Sequence, residues 1–388
     1  MFNTLINKDN ILNTIMNKST TTSIGSISAT TVANDKMNTL NYIGSKHTLC
    51  STLISVIKAV VPDLQSKTFM DLFAGTGSVG FQMQPLVSSC SANDLEYYSF
   101  VINNALLCCP YSEKLQEIIN ECNTLEGIEG LIYNAFSPHQ MDSESVCERM
   151  FFSNENAKRC DAMRQYIELQ KVSERLTMSE YHFMVASLLV VMDKVANTSC
   201  VYGAYLKAFK GSALKSVLLI PIHTRDTFAF AFNSESKDSS ESEVYNMKAE
   251  DLCRSDKHFD VVYMDPPYNQ RQYSANYSPL NYIALYDPAI VLTGKTGLIA
   301  NYNRSDFCSK VKVKNAFKLL LDNIKCNYLF ISYNNEGLLS CDELKEILET
   351  YGDLVLHKIP YKKFKAQQSV VEDSVFEYLW VLCPTMKK

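Results

Sequence analysis

The chain has 388 residues, room for one large domain with an insertion or for two domains. Hydrophobic residues make up 46% of it, which permits a packed core and excludes global disorder. A net charge of −5 and a pI near 5.8 count against a protein that is basic throughout, yet leave room for a local basic groove facing nucleic acid.

Residues 1–38 are rich in Asn, Thr, Ser and Ile, and "STTTSIGSISATT" predicts a flexible tail. "HTLCSTLISVIKAVV" has the apolar spacing of a helix, which Pro62 ends. "KTFMDLFAGTGSVGFQM" reads as a short buried strand, a glycine turn and the start of a helix. "CSANDLEYYSFVINNALL" reads as a second strand running into a second helix. This βαβα order predicts an α/β fold, a parallel sheet with helices on both faces. From Pro110 to Asn197 the pattern is mostly helical, with "SEYHFMVASLLVVMDKVA" capped by Ser179 or Thr177. "NSESKDSSESE" then predicts a solvated loop. Strand signals return in "FDVVYMD", "TGLIANYN", "NYLFISYN" and "SVFEYLWVLC". The expected organisation is a tail (1–38), a discontinuous α/β domain (39–110 and 249–388) and a largely helical insertion (111–248).

The 13 cysteines are odd in number, scattered, and form no C-x-x-C. With no signal peptide in view, they predict a reduced intracellular protein without a structural metal. No apolar run reaches the roughly 18 residues of a membrane span.

Two short stretches carry chemistry. Phe73-Ala74-Gly75-Thr76-Gly77 joins a strand to a helix, and its glycines let backbone approach a ligand or simply make a tight turn. It lacks the third glycine of a dinucleotide fingerprint and the G-K-[ST] of a P-loop. Asp94, at the end of the next strand, is placed to accept hydrogen bonds from ribose hydroxyls or to cap the following helix. The second stretch is Asp265-Pro266-Pro267-Tyr268, delivered by the buried strand Val261–Met264 to its carboxyl edge. The prolines remove backbone donors and stiffen the turn. What remains is a carboxylate, free carbonyls and a flat ring. That set suits an amine on a ring stacked against an aromatic: a nucleobase out of its helix.

These residues resemble the N6-adenine DNA methyltransferases that use S-adenosylmethionine. There, D-P-P-Y is the catalytic motif and F-x-G-x-G the cofactor turn. The order here is glycine motif, long insertion, then D-P-P-Y, which is similar to the Dam-like group. "NYIGSKHTL" resembles the amino-terminal cofactor motif of that group. The blocks "FFSNENAKRCDAMR", "NTSCVYGAYLK", "DPPYNQRQYSANYSPLNYIA" and "FISYNNEGLLS" look like its FokI-type subgroup, with Ser278 and Asn281 as departures. The resemblance implies a Rossmann-like methyltransferase sheet with an inserted target-recognition region. It implies that Tyr42, Lys46, Asp71, Phe73, Gly75, Gly77, Asp94, Asp251 and Asp265 serve the cofactor. Within that set, Lys46 would hold the methionine carboxylate, and Asp251 (or its neighbour Glu250) would meet the cofactor's adenine amine. Asp265, Pro266, Pro267 and Tyr268 would be catalytic, with Tyr277 also stacking on the base.

The implied partner is double-stranded DNA, bound by a monomer without metal or membrane. Candidate DNA contacts are Asn269, Arg271, Tyr277, Lys207 and Lys210. Further basic candidates are Arg159, Lys171, Arg175, Lys215, Arg225 and the run Lys362, Lys363 and Lys365. Two alternatives stay open on the sequence. One is an RNA N6-adenine or guanine-N2 methyltransferase; the other is a catalytically silent nucleic-acid-binding relative.

Overall fold

The computed structural model describes residues 37–140, 146–225, 242–361 and 375–384. The tail, apart from Met37 and Asn38, and Lys362, Lys363 and Lys365 lie outside the described residues, as does most of the acidic-serine stretch.

Seven strands form the main sheet: β1 (Thr68–Asp71), β2 (Ser89–Asn93), β3 (Val244–Tyr245), β4 (Phe259–Met264), β5 (Cys326–Asn334), β6 (Gly352–Tyr361) and β7 (Val375–Pro384). Their spatial order is β6-β7-β5-β4-β1-β2-β3. β3, β2, β1, β4 and β5 run parallel. β7 runs antiparallel between β5 and β6. The chain moves outward from β1 to β3, then returns to lay β4 on the other side of β1. A crevice opens at that reversal, at the carboxyl ends of β1 and β4.

Alternation along the strands builds two cores. Phe69, Val261, Tyr263, Phe330, Leu379 and Val381 face one layer, while Met70, Val262, Met264, Ile331, Trp380 and Leu382 face the other. Helices α1 (Cys50–Val60), α2 (Ser78–Met83) and α3 (Tyr97–Leu107) cover the first face. The helices α4 (Glu113–Thr124), α5 (Leu131–Phe136), α6 (Asn154–Val172) and α7 (Met178–Lys194) extend that layer. α8 (Ser278–Leu285) packs with them, whereas α9 (Val313–Asn323) and α10 (Cys341–Leu348) cover the second face.

The expected insertion is helical, and it shares a core with the α/β domain. α7 is buried from Tyr181 to Asp193 and packs on α3, as a helix that is apolar all round must. Its N-terminus is capped by Thr177, with Glu180 completing the capping box. The sheet's edge strand β3 lies within residues 111–248, where no strand was expected. One strand reading is corrected. "TGLIANYN" contributes only Leu298–Ile299, paired with Leu292–Thr293 in a small separate hairpin. β6 was not foreseen, because charged residues and Pro360 interrupt its apolar signal.

Within the helical layer, Asp161 of α6 is fully buried and caps α5. Its carboxylate accepts from the backbone N–H of Gly130, Ile132 and Tyr133 at 3.1, 2.9 and 2.8 Å, and from the Tyr286 hydroxyl at 2.7 Å. Asp161→Ala leaves those donors without a partner and is expected to cost about 3 kcal/mol, read by denaturant unfolding. Loss of less than about 1 kcal/mol would show that water replaces the carboxylate there.

Candidate active site

The glycine turn is locked from both sides. Gly75 and Gly77 have φ of +52° and +74°, where a side chain is strained. A Cβ on Gly77 would lie 2.6 Å from Leu106 Cδ1 and 2.8 Å from Asn103 Oδ1. The Gly75 carbonyl accepts from Ser99 Oγ at 2.6 Å and Asn103 Nδ2 at 3.2 Å. The Gly75 N–H donates to Asp94 Oδ2 at 2.8 Å, and the other oxygen of Asp94 accepts from the Glu96 N–H at 2.8 Å. Asp94 therefore pins both the turn and the chain leading into α3 while also facing the cleft.

That cleft lies open at the carboxyl ends of β1 and β4, where α/β sheets offer a ligand crevice. Tyr42, Lys46, Asp71, Phe73, Gly75 and Asp94 all line it, as does Asp265. Gly77 shapes the turn without lining the space. Asp251 stands apart: its side chain is half exposed and pairs with Arg254 at 2.8 Å. The helix Ala249–Cys253 turns Glu250 into the cleft instead. Of the two adjacent acids, Glu250 and not Asp251 lines the cleft, and the phase of one short helix decides between them.

Sequence reasoning missed Glu96 and Tyr273, both on the cleft wall. Glu96 is buried, accepts from Asn281 Nδ2 at 2.7 Å and from the Ser274 hydroxyl. Burial raises its pKa to about 7, against the stabilising Ser274 hydrogen bond. Asn281 also accepts from the Tyr98 N–H at 3.0 Å. The two departures from the subgroup pattern have local duties: Asn281 ties α8 to α3, and Ser278 accepts from the Ile299 N–H at 3.0 Å.

The segment before α1 crosses the cleft. Asn41 donates twice to Asp193, at 2.7 and 3.0 Å, and the Ile43 N–H donates to the Tyr277 hydroxyl at 2.9 Å. Lys46 is thereby buried with its Nζ 2.7 Å from Asp265 Oδ2 and 3.2 Å from Glu377 Oε1. The ammonium expected to hold a ligand carboxylate is committed to two protein carboxylates. Burial opposes its charge, but Asp265 and Glu377 hold its pKa well above the usual lysine range. Burial raises Asp265 to about 6 against the pull of Lys46. Asp71, buried beside Asp265, is pushed to about 8. Oδ1 of Asp71 and Oδ1 of Asp265 are both buried without a hydrogen-bond partner. A cleft with this surplus of acceptors suits a ligand bearing positive charge and N–H donors.

Tyr268 meets Tyr333 edge-on at 6.0 Å, and Lys46 Nζ lies 5.5 Å from its ring centre. Tyr277 is corrected. It is fully buried, stacked on Tyr42 at 4.6 Å and 19°, so it has no face for a base and instead backs the cleft wall. Asn269 Oδ1 accepts from the Arg271 N–H at 2.9 Å, and Arg271 and Lys207 are exposed. Lys210 is half-buried and donates to the Thr198 carbonyl at 2.7 Å. Arg159, Arg175 and Arg225 serve the fold: Arg159 donates to the Val217 and Asn123 carbonyls, Arg175 pairs with Glu121, and Arg225 is buried over the Phe81 ring.

Residues 42–347 match the family described as D12 class N6 adenine-specific DNA methyltransferase. The type II methyltransferase M.NlaIII of Neisseria lactamica is 42% identical over 349 residues, covering 88% of this chain and 99% of that protein. M.CviAII of Paramecium bursaria Chlorella virus 1 is 40% identical over 348 residues, 89% of this chain and 98% of that protein. M.FokI of Planomicrobium okeanokoites is 33% identical over 358 residues, which cover 88% of this chain and 52% of that protein.

Two outcomes follow from the geometry. Gly77→Ala is expected to lose about 2 kcal/mol of stability through backbone strain and the clash with Leu106, measured by unfolding; a neutral result would refute the locked turn. The second concerns pH. Asp71 has a folded pKa of about 8, above the ordinary aspartate value of about 4. The folded protein keeps a proton there that the unfolded chain releases. The contribution of Asp71 to stability is therefore greatest below about pH 4 and declines up to about pH 8. Asp71→Asn should flatten that slope and raise the melting temperature at pH 8 in ligand-free protein; an unchanged slope would contradict the burial of this carboxyl.

Proposed function

The chain belongs to the D12 class of N6 adenine-specific DNA methyltransferases and transfers methyl groups to adenine N6 in DNA; from that premise we propose how its residues divide the work. The RNA-directed and silent-module alternatives fall away with that membership. The cofactor is S-adenosylmethionine and the substrate a specific sequence in duplex DNA. We propose that the enzyme acts inside the cell as a monomer and as the modification partner of a restriction enzyme, a role supported by its relatives' description as type II methyltransferases.

The single observation that carries the residue assignment is Asp265 Oδ1: buried, without a hydrogen-bond partner, beside the stiff Pro266-Pro267 turn. The adenine N6 lone pair is delocalised into the ring, which makes the amine a poor nucleophile. Asp265 Oδ1 and the Pro266 carbonyl accept its two N–H groups. That localises the pair on nitrogen and lets it become tetrahedral. Tyr268 offers a ring face to the flipped base. S-adenosylmethionine, when bound, supplies the electrophilic methyl carbon. Asp265 Oδ1 and the Pro266 carbonyl would hold the amine toward that methyl group, and Asp265 would take the proton that N6 sheds and pass it to solvent. Asp71, Asp94, Glu96 and Glu250 would hold the cofactor's polar groups, and its positive charge would favour the ionised forms that burial disfavours in Asp71 and Glu96. Positioning is the protein's main contribution, and no cysteine is needed as a nucleophile. Asn269, Arg271 and Lys207 are the contacts proposed for DNA, with Lys210 a weaker candidate because of its tether to Thr198.

Labelled methyl transfer to unmethylated duplex DNA and to total RNA, with nucleoside analysis, tests this reading. N6-methyladenine in DNA alone is the expected product; label in RNA alone would overturn the substrate. Asp265→Ala should lose at least about a thousandfold in rate while still binding cofactor. Tyr268→Phe should retain most activity and Tyr268→Ala little, because the ring, not the hydroxyl, stacks. Wild-type turnover in Asp265→Ala would refute the mechanism.

A further inference from the structure

The two oxygens of Asp265 are not equivalent. Oδ2 takes the Lys46 ammonium at 2.7 Å, while Oδ1 is left without a hydrogen-bond partner. The ammonium lies between three oxygens: Asp265 Oδ2, the Gly44 carbonyl at 3.4 Å, and Glu377 Oε1, an ion-pair contact at 3.2 Å without hydrogen-bond geometry. Glu377 is 5% exposed. It comes from β7, opposite Asn334 of β5, and so from the strand beyond the one that neighbours β4. A buried carboxylate on a central strand is costly unless paired. Its one ion pair among the described residues is with Lys46.

A lysine paired with Asp265 alone could turn over both carboxylate oxygens and neutralise the group. A second carboxylate, fixed on a rigid strand, gives the ammonium another anchor. We propose that Glu377 is a positioning residue for methyl transfer: it shares Lys46 with Asp265, so that the lysine fixes Oδ2 and leaves Oδ1 ionised and open to the substrate amine. This rests on Asp265 being the acceptor for that amine.

The charge of Glu377 also bears on how basic Asp265 is. Burial raises Asp265, Lys46 lowers it, and Glu377 raises it again, to about 6. A carboxylate titrating there is ionised at neutral pH and is a stronger acceptor than one of ordinary acidity. The other groups facing this cluster are Asp71 of β1, Tyr263 of β4, Tyr268 and Tyr273 after β4, and Cys50 of α1. Of these, Asp71 carries its own raised pKa, and burial raises Tyr263, Tyr273 and Cys50, which stay neutral across the range in question.

The test is the pH profile of single-turnover methyl transfer to duplex DNA at saturating S-adenosylmethionine, for wild type, Glu377→Gln and Glu377→Asp. In Glu377→Gln the acid limb should move down by roughly half to one pH unit, since a charge that raised Asp265 is gone. The plateau should fall about tenfold, as Lys46 closes over both oxygens. Glu377→Asp keeps the charge and should keep the limb. A cofactor-free readout is the ¹³C carboxyl titration of Asp265, assigned by its loss in Asp265→Asn, which should shift the same way. If Glu377→Gln does not fold, Lys46→Gln and the double variant Lys46→Gln/Glu377→Gln replace it, and the double variant must titrate lower. An unmoved limb and titration in Glu377→Gln, or an equal shift in Glu377→Asp, overturns the proposal. Absence of any wild-type transfer to DNA refutes the catalytic reading instead, and the carboxyl titration then still decides the role of Glu377.

Discussion

One buried ammonium joins the parts of this molecule that must act together. Lys46 arrives on the segment before α1, Asp265 at the end of β4, and Glu377 on β7. Three distant stretches of chain therefore meet at one charge. Leaving either carboxylate alone in this burial would cost about 3–5 kcal/mol, so the cluster holds only if the whole sheet is assembled. The fold supplies that assembly through its topology. The reversal between β1 and β4 brings the glycine turn and D-P-P-Y side by side, and the antiparallel β7 brings Glu377 within reach.

Around this charge the site is built from acceptors. Asp71, Asp94, Glu96 and Glu250 line the cleft with Asp265, and Lys46 is spent on Asp265 and Glu377. Burial pushes Asp71, Glu96 and Asp265 upward, to about 8, 7 and 6. Such a site is poised for a cationic ligand and for an amine that gives up hydrogen bonds. Its aromatic lining divides by position. Tyr42, Tyr98 and Tyr277 pack on one another as a wall, whereas Tyr268 stands at the motif itself.

What could be read from the sequence was what is contiguous. F-A-G-T-G and D-P-P-Y each pack a strand end, a turn and a chemical group into five residues or fewer, so pattern alone placed them in one crevice. The α/β class followed from the same βα alternation. What could not be read depends on pairing across the chain. Lys46 has a partner on β7 that no local pattern announces. Asp251 and Glu250 are adjacent, and only the helix phase separates them. Tyr277 has the composition of a stacking residue, yet packing on Tyr42 uses its face. The insertion was legible as helical, but not its fusion to the core, because α7 shows its partner α3 only in three dimensions.

The most direct measurement is a crystal structure of the protein with duplex DNA and a non-transferable, positively charged analogue of S-adenosylmethionine. The account predicts adenine N6 about 2.9 Å from Asp265 Oδ1, with Lys46 still on Oδ2 and Glu377. Lys46 released from Asp265 and bound to the analogue's carboxylate, with N6 held by other groups, would contradict it.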